Sequence, residues 1–199
     1  MSKVPVFEYY PDTSEIPLRL PDGGNITIEI NPGWAFGKGF HPTTKLCINA
    51  LEKLFAEHES GSEKIETVLD VGCGTGVLTI SAAALGAGKV IGIDIDNTIV
   101  LEARSNLEKN GVFGKADVIL GSIEDARGLF DLIVANILAG SILAISGQFE
   151  EKLKPGGLLL LSGIKDGEKA QVIERFNELG FSRMGESAEK GWVSLIFRL

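Results

Sequence analysis

Short apolar runs alternate with helical segments from residue 67 to residue 180, and this pattern constrains the fold more than any other feature. The apolar runs are TVLDV (67–71), KVIGIDID (89–96), ADVIL (116–120), DLIVAN (131–136) and LLLLSG (158–163). Strands that are apolar along their length are buried on both faces, which is typical of a parallel sheet covered by helices. The tail, 181–199, predicts two more strands in a hairpin. The predicted fold class is α/β, with a doubly wound, mostly parallel seven-stranded sheet and a C-terminal antiparallel hairpin.

Helices are predicted between these strands and before them. The helical segments that follow strands are 77–88, 97–111, 140–157 and 168–180. Upstream, apolar residues recur at i, i+3, i+4 and i+7 from Cys47, which predicts one more helix. The segment PDGGN (21–25) is a turn signal between two short strand patterns. Residues 1–31 are therefore predicted to be a short N-terminal β extension, and residues 32–199 the main domain.

Composition disfavours several classes of protein. The sequence has no apolar run long enough to span a membrane, and its N-terminus lacks an apolar stretch with a cleavage site. The two cysteines, Cys47 and Cys73, form no CxxC or metal-binding pattern and fit a reducing compartment. The net charge of −8 disfavours binding to nucleic-acid phosphates and is compatible with a basic protein partner. We expect a cytoplasmic protein without a metal site.

The segment VLDVGCGTG (68–76) occupies the first strand–helix turn of the predicted sheet. In doubly wound sheets the ligand binds beside such a turn, at the carboxyl ends of the strands. Glycine at positions 72, 74 and 76 lets the backbone turn tightly and approach a ligand without a Cβ clash. The helix that follows presents free amide groups. Gly72, Gly74 and Gly76 are therefore candidate binding residues.

The residues around this turn discriminate between nucleotides. The dinucleotide fingerprint G-x-G-x-x-G is not met, because Val77 stands at its third glycine, and no Gly-Lys-Ser/Thr follows as in a P-loop. Asp94 ends the second strand and can accept hydrogen bonds from both hydroxyls of a ribose. Asp70 would repel a pyrophosphate but suits an amino group. Together they favour S-adenosylmethionine, which has a ribose and an ammonium but no phosphate; strand-end caps and turn glycines are the structural alternative.

Recognisable motifs narrow this prediction. VLDVGCGTG with GIDID resembles the first two motifs of the seven-stranded, Rossmann-like S-adenosylmethionine-dependent methyltransferases. PGWAFGKGFHPTTKLC (32–47), GCGTGVLTISAAALGAGKVIGIDID (72–96) and VANILAG (134–140) resemble the PrmA family of ribosomal protein lysine methyltransferases. The resemblance runs from about Pro32 to about Gly163. It implies methylation of an amine of a protein, either a lysine or an N-terminal amino group, with ribosomal protein L11 as the family's substrate.

The resemblance also implies roles for single residues. The cofactor contacts carried over by position are Thr44, Gly72, Asp94 and Asn136. Asn136 is in addition the predicted catalytic residue, because NILA stands where related nitrogen methyltransferases carry an Asn-Pro-Pro-aromatic loop. Its amide oxygen can accept a hydrogen bond from the target amine. The structural alternatives are a helix cap for Thr44 and a cap or turn for Asn136.

Aromatic residues of the glycine-rich loop predict a pocket for the target amine. Phe36, Phe40 and His41 are the predicted pocket residues, with Trp34 as a further candidate. An apolar pocket lowers the pKa of a lysine, and ring faces can hold an ammonium. Core packing is the alternative for the rings. His41 is interpreted as a hydrogen-bonded structural residue rather than as a base.

Two departures from the family pattern keep other functions open. The chain has Lys38 and Phe40 where the family's loop usually carries small hydroxyl residues. About thirty residues precede the shared motifs, whereas family members resemble two-part proteins with an N-terminal recognition domain, so we expect that module to be missing. One alternative is therefore a methyltransferase of the same fold for a small molecule or a different protein. Another is a module that binds the cofactor without turnover, and a nicotinamide oxidoreductase is disfavoured by the glycine spacing.

Overall fold

The computed structural model describes residues 14–31, 33, 35, 37, 39–58 and 64–199. The strands of these residues are β1 (Ser14–Arg19), β2 (Asn25–Ile30), β3 (Thr67–Val71), β4 (Lys89–Asp94), β5 (Ala116–Leu120), β6 (Phe130–Asn136), β7 (Leu153–Lys165), β8 (Ser182–Glu189) and β9 (Trp192–Arg198). The α-helices are α1 (Pro42–Glu57), α2 (Val77–Ala84), α3 (Asn97–Lys109), α4 (Ala139–Ala144), α5 (Ser146–Lys152) and α6 (Lys169–Glu178). No helix within the described ranges has the length and hydropathy needed to cross a bilayer.

The main sheet has seven strands in the order β5–β4–β3–β6–β7–β9–β8. The strands from β5 to β7 are parallel, whereas β9 and β8 are added antiparallel. The chain runs outward from β3 through β4 to β5 and then returns to the other side of β3 as β6, so the strand order reverses at β3. Such a reversal opens a crevice at the carboxyl ends of the central strands. The predicted doubly wound sheet and its C-terminal hairpin are confirmed.

Successive side chains of the central strands enter two different core layers. Val68 of β3 lies in the layer that contains α1, α2 and α3, and the next residue, Leu69, lies in the layer that contains α4, α5 and α6. Leu132 and Ile133 of β6 divide in the same way. Because helices cover both faces of the sheet, these strands have no solvent-facing side to carry polar residues.

The strands β1 and β2 form a separate antiparallel hairpin. The predicted PDGGN turn joins them, and Leu20 N donates a hydrogen bond to Gly24 O at 2.8 Å. Ile16 and Leu18 are buried in the core layer that contains α1. The hairpin thus packs against the core of the main sheet. The predicted domain boundary after residue 31 stays a prediction. Residues 1–13 lie outside the described residues.

The prediction of one helix over residues 140–157 is wrong. This segment forms α4, α5 and the beginning of β7. The helical backbone is interrupted at Ile145, where φ is −106° and ψ is 13°. Extended backbone begins at Leu153, with φ −89° and ψ 145°. Pro155 disfavours helical backbone in the residue before it, so the Pro-Gly-Gly segment belongs to an irregular strand rather than to a turn after a helix.

Candidate functional site

A cavity of about 590 Å³ opens at the carboxyl ends of β3, β4, β6 and β7. It is lined by Gly72 and Gly74 from the β3–α2 turn, by Asp94 from the end of β4 and by Asn136 from the end of β6. A volume of this size is typical of pockets for small-molecule ligands. The structure therefore brings these four predicted residues together at the predicted edge of the sheet.

The β3–α2 turn contains three glycines in the left-handed conformation. Their φ angles are 70° at Gly72, 55° at Gly74 and 80° at Gly76. Gly76 is the N-cap residue of α2, and a Cβ there would lie 3.1 Å from Leu107 Cδ1 of α3. Gly76 thus allows α2 and α3 to pack closely, whereas Gly72 and Gly74 border the cavity. The structure does not bring Gly76 to the wall of the described cavity.

The Asp94 carboxylate connects the cavity to the glycine turn. Its Oδ2 accepts a hydrogen bond from Gly74 N at 3.1 Å, and its Oδ1 accepts one from Asp96 N at 3.2 Å. Asp96, which was predicted to extend the strand, instead caps α3 and accepts a hydrogen bond from Thr98 N at 2.8 Å. Asp94 is thus oriented by two backbone amides while it borders the cavity, which suits an acceptor of ligand hydroxyls.

Asp70 is buried against α2 rather than placed on the described wall of the cavity. Its Oδ2 accepts a hydrogen bond from Thr79 Oγ1 at 2.7 Å, and its Oδ1 has no hydrogen-bond partner among the described residues. Burial raises the pKa of this carboxyl to about 6, and the Thr79 hydrogen bond opposes that effect. The predicted contact of Asp70 with a ligand amino group stays a prediction.

At the N-terminus of α1, Thr43 lines the cavity, whereas the sequence predicted its neighbour Thr44. His41 is the N-cap residue of α1, with its Nδ1 2.8 Å from Thr43 Oγ1. His41 and Thr43 line the cavity. Thr44 is fully buried, and its hydroxyl has no hydrogen-bond partner in the described part of the chain. Thr44 is therefore not the cap of the helix, and its predicted cofactor contact stays a prediction.

Asn136 is the last residue of β6 and pairs with Ser162 of β7. Its Oδ1 is buried and accepts no hydrogen bond from any described residue. A buried amide oxygen without a donor is costly unless a ligand supplies one. Its position at the cavity agrees with a binding role and leaves one acceptor available for a ligand N–H or O–H.

The predicted aromatic pocket is only partly described. The His41 ring lies edge-on to the Trp192 ring, with a centroid distance of 5.2 Å, and both residues line the cavity. Phe40 is 46% exposed and is not part of the described cavity wall, so its predicted role in the pocket stays a prediction. Phe36, together with Trp34 and Lys38, lies outside the described residues.

Several lining residues were missed by sequence reasoning. Ile95 and Ile99 follow the end of β4, and Gly163 is the last residue of the predicted fifth strand, so strand-end position was an available signal. Trp192 gave no such signal. It reaches the cavity through the antiparallel pairing of β9 with β7, in which Trp192 lies opposite Lys165.

Comparison with known proteins identifies the family. The profile of the family described as "Ribosomal protein L11 methyltransferase (PrmA)" matches residues 7–199. The chain belongs to the PrmA family. The PrmA match extends beyond the predicted resemblance over 32–163, so it includes the β1–β2 hairpin and the C-terminal strands.

Curated PrmA relatives are longer than this chain. A protein from Geobacter metallireducens named ribosomal protein L11 methyltransferase is 39% identical over 178 residues, covering 89% of this chain and 56% of the relative. One of the same name from Citrifermentans bemidjiense is 42% identical over 175 residues, covering 88% and 56%. The chain therefore spans about half the length of the curated relatives it matches.

Solved structures support the PrmA assignment and the fold. A ribosomal protein L11 methylase from Lactobacillus delbrueckii subsp. bulgaricus superposes with a TM-score of 0.74 at 32% identity, covering 84% of this chain and 82% of that one. A magnesium protoporphyrin IX methyltransferase from Synechocystis with bound SAM gives a TM-score of 0.63 at 21% identity, covering 77% of each chain. At that identity the second likeness concerns the fold alone.

Proposed function

We infer that this PrmA-family chain binds S-adenosylmethionine in the cavity and transfers a methyl group to an amine of a protein in the cytoplasm. One observation carries the proposal. Asp94 and Asn136 border the same cavity of about 590 Å³, and the buried Oδ1 of Asn136 lacks a donor among the described residues. A carboxylate for ribose hydroxyls and an amide oxygen for an amine are thus available to one ligand-binding site.

The chemistry of the lining fits this cofactor better than a dinucleotide. Gly72 and Gly74 allow the backbone to approach the ligand closely. Ile95 and Ile99 offer apolar surface for an adenine ring. None of the described residues that line the cavity is a lysine or an arginine, and a carboxylate is present instead. A pyrophosphate would therefore lack a cationic partner there.

When bound, S-adenosylmethionine supplies a sulfonium-activated methyl group whose leaving group departs neutral. The task of the protein is then mainly positioning. The Asn136 Oδ1 holds the target amine by accepting a hydrogen bond from one of its N–H groups. The mainly apolar wall lowers the pKa of a lysine amine and raises its neutral, nucleophilic fraction. His41 Nδ1 is engaged with Thr43 at the start of α1, so we assign His41 to shaping the wall rather than to proton transfer.

Ribosomal protein L11 is the first candidate acceptor. It is the substrate that the names of the curated relatives give for those proteins. The net charge of −8 on this chain favours contact with a basic protein surface. Either a lysine ε-amine or the N-terminal amine of such a partner has the N–H that Asn136 would bind.

Methyl transfer to purified ribosomal protein L11 tests the proposal. The chain is incubated with labelled S-adenosylmethionine and L11 or a cell extract, and labelled products are identified by mass spectrometry. We expect label on L11 amines, and we expect Asn136→Ala to lower kcat at least tenfold, since a positioned polar group contributes on the order of 10²-fold. Asn177→Ala, on the exposed face of α6, is the matched control that keeps the wild-type rate.

Each other outcome points to a different function. Label confined to small molecules, or to a protein other than L11, would show that the acceptor is that component and not L11. S-adenosylhomocysteine binding without transfer to any component would indicate a cofactor-binding module. A chain that does not bind S-adenosylhomocysteine at millimolar concentration would reject the cofactor assignment itself.

A further inference from the structure

Two glycines from different strands enclose Ile137, the residue that follows Asn136. A Cβ at Gly72, in the β3–α2 turn, would lie 2.5 Å from Ile137 Cγ2. A Cβ at Gly163, in β7, would lie 2.2 Å from Ile137 O and 2.7 Å from its carbonyl carbon. All three distances are below any contact that a real Cβ makes. The absence of two side chains therefore creates the space in which Ile137 lies.

An irregularity in β7 brings Gly163 to this position. The pairing of β7 with β9 shifts register between Leu161 and Ile164, so that β7 has one residue more than β9 over this stretch. Gly163 has φ 81°, a left-handed conformation that L side chains rarely adopt. A β-bulge of this kind bends a strand and re-aims its neighbours, and bulges are frequent next to active sites. Here the bulge presses the β7 backbone against the residue after Asn136.

We propose that Gly163 is a positioning residue, which orients the Asn136 side chain by fixing the backbone of Ile137 against Gly72. The role rests on the proposed function of Asn136 as the acceptor of the target amine. Asn136 is itself paired with Ser162, the residue before Gly163. The pairing of β6 with β7 and the close approach of Gly163 to Ile137 therefore both constrain the backbone at Asn136 and Ile137. Its Oδ1 has no hydrogen bond from the described residues to orient it. The direction of the Asn136 side chain consequently depends on the backbone of Asn136 and of the neighbouring Ile137.

Gly156 provides a matched control within the same strand. Its φ of 76° is close to that of Gly163, so an alanine at either position incurs similar backbone strain. A Cβ at Gly156 meets no described atom within 4 Å, in contrast to the backbone contact at Gly163. The difference between Gly163→Ala and Gly156→Ala therefore measures the contact with Ile137 separately from the cost of a left-handed alanine.

The first readout requires no cofactor. The Asn136 side-chain amide resonances of the ¹⁵N-labelled, ligand-free chain are assigned by their loss in Asn136→Asp. We expect Gly163→Ala to displace them and Gly156→Ala to leave them at their wild-type shifts. If Gly163→Ala does not fold, Ile137→Leu, which removes the Cγ2 methyl next to Gly72, is compared with Ile137→Val, which keeps it. Displacement is then expected for the leucine variant only.

The second readout is kinetic. We expect Gly163→Ala to lower kcat for methyl transfer to L11 at least tenfold while the Kd for S-adenosylhomocysteine changes less than threefold, and Gly156→Ala to change neither. Asn136 resonances that stay in place in Gly163→Ala and Ile137→Leu, or a kcat equal to that of Gly156→Ala, would overturn the proposal. A wild-type chain that transfers no methyl group would count against the proposed function alone, because the resonances still decide the positioning role.

Discussion

Asp94 and Asp70 end or nearly end neighbouring strands, yet their environments differ. Asp94 borders the cavity and holds the amides of Gly74 and Asp96. Asp70 is 1% exposed, and its Oδ2 accepts a hydrogen bond from the Thr79 hydroxyl. Asp94 therefore borders the cavity, whereas the buried Asp70 has a raised pKa, and its predicted contact with a ligand amino group stays a prediction.

Replacing Asp94 tests the proposed ribose contact. We expect Asp94→Asn to weaken S-adenosylhomocysteine binding about ten- to a hundredfold, because hydrogen bonds to a charged acceptor contribute about 1.5–3 kcal/mol. Isothermal titration calorimetry measures the change. Asp117→Asn, which removes an exposed carboxylate of β5 that pairs with Arg104, is the control and should bind like the wild type. An unchanged Kd for Asp94→Asn would show that Asp94 does not bind the ribose hydroxyls.

Asp70 predicts a pH dependence of stability. Burial raises its folded-state pKa to about 6, whereas an aspartate of the unfolded chain ionises near pH 4. Between these values the folded state keeps a proton that the unfolded state has lost, so the free energy of unfolding falls as pH rises through this window. Since a tenfold change in proton affinity corresponds to about 1.4 kcal/mol, the loss due to Asp70 is about 3 kcal/mol.

Urea unfolding between pH 4 and pH 7 measures this effect. We expect the free energy of unfolding of Asp70→Asn to decline less over this range than that of the wild type, because asparagine does not ionise. Comparison of the two chains cancels the titration of groups that do not interact with Asp70. One of these is Asp131, whose pKa is lowered by its hydrogen bonds to Lys154 and Thr67 against the effect of burial. Parallel pH profiles would show that Asp70 titrates at an ordinary pKa.

At the scale of elements, the β1–β2 hairpin is attached to the main sheet by apolar packing and by α3. Leu18 is 1% exposed within the core layer of α1. Asn110, after the end of α3, accepts a hydrogen bond from Glu29 N at 2.9 Å and donates one to Glu29 O at 2.8 Å. From these contacts we expect the hairpin to unfold together with the sheet.

Truncation of Leu18 tests whether the hairpin and the main sheet unfold together. We expect Leu18→Ala to lower the free energy of unfolding by about 2–5 kcal/mol, the usual cost of a large-to-small change in a core, in one transition. Ile26, its cross-strand partner, is 37% exposed, and Ile26→Ala should cost less than about 1 kcal/mol. Chemical denaturation followed by circular dichroism measures both. Two separate transitions in the leucine variant would mean that the hairpin unfolds independently.

Element boundaries were predictable where local patterns were unambiguous. The runs TVLDV and ADVIL match β3 and β5 residue for residue, because each is a short, mainly apolar run rich in β-branched residues. The failure over 140–157 arose because a short apolar repeat does not distinguish one helix from two short ones. The strand that follows is defined by pairing with β6, a contact between segments that are distant in sequence.

At the scale of the whole molecule, ligand binding should raise thermal stability. A ligand at a hundred times its Kd stabilises the folded state by about 2.7 kcal/mol, which for a chain of this length raises Tm by about 5–10 °C. We expect S-adenosylhomocysteine to produce such a rise in differential scanning fluorimetry and NAD at equal concentration to produce none. A rise with NAD alone would indicate that the cavity accepts a pyrophosphate.

The sequence by itself determined the α/β class, the order of the strands along the chain, and the turn with Asp94 at which the cavity lies. These follow from burial patterns and backbone requirements, which are local properties of the chain. Only the tertiary structure decided that Thr43 rather than Thr44 borders the cavity, since neighbouring helical residues point about 100° apart. The position of Trp192 at the cavity likewise depends on the pairing of β9 with β7. The close contacts of Ile137 with Gly72 and Gly163 depend on the approach of segments that are distant in sequence, which no local pattern predicts.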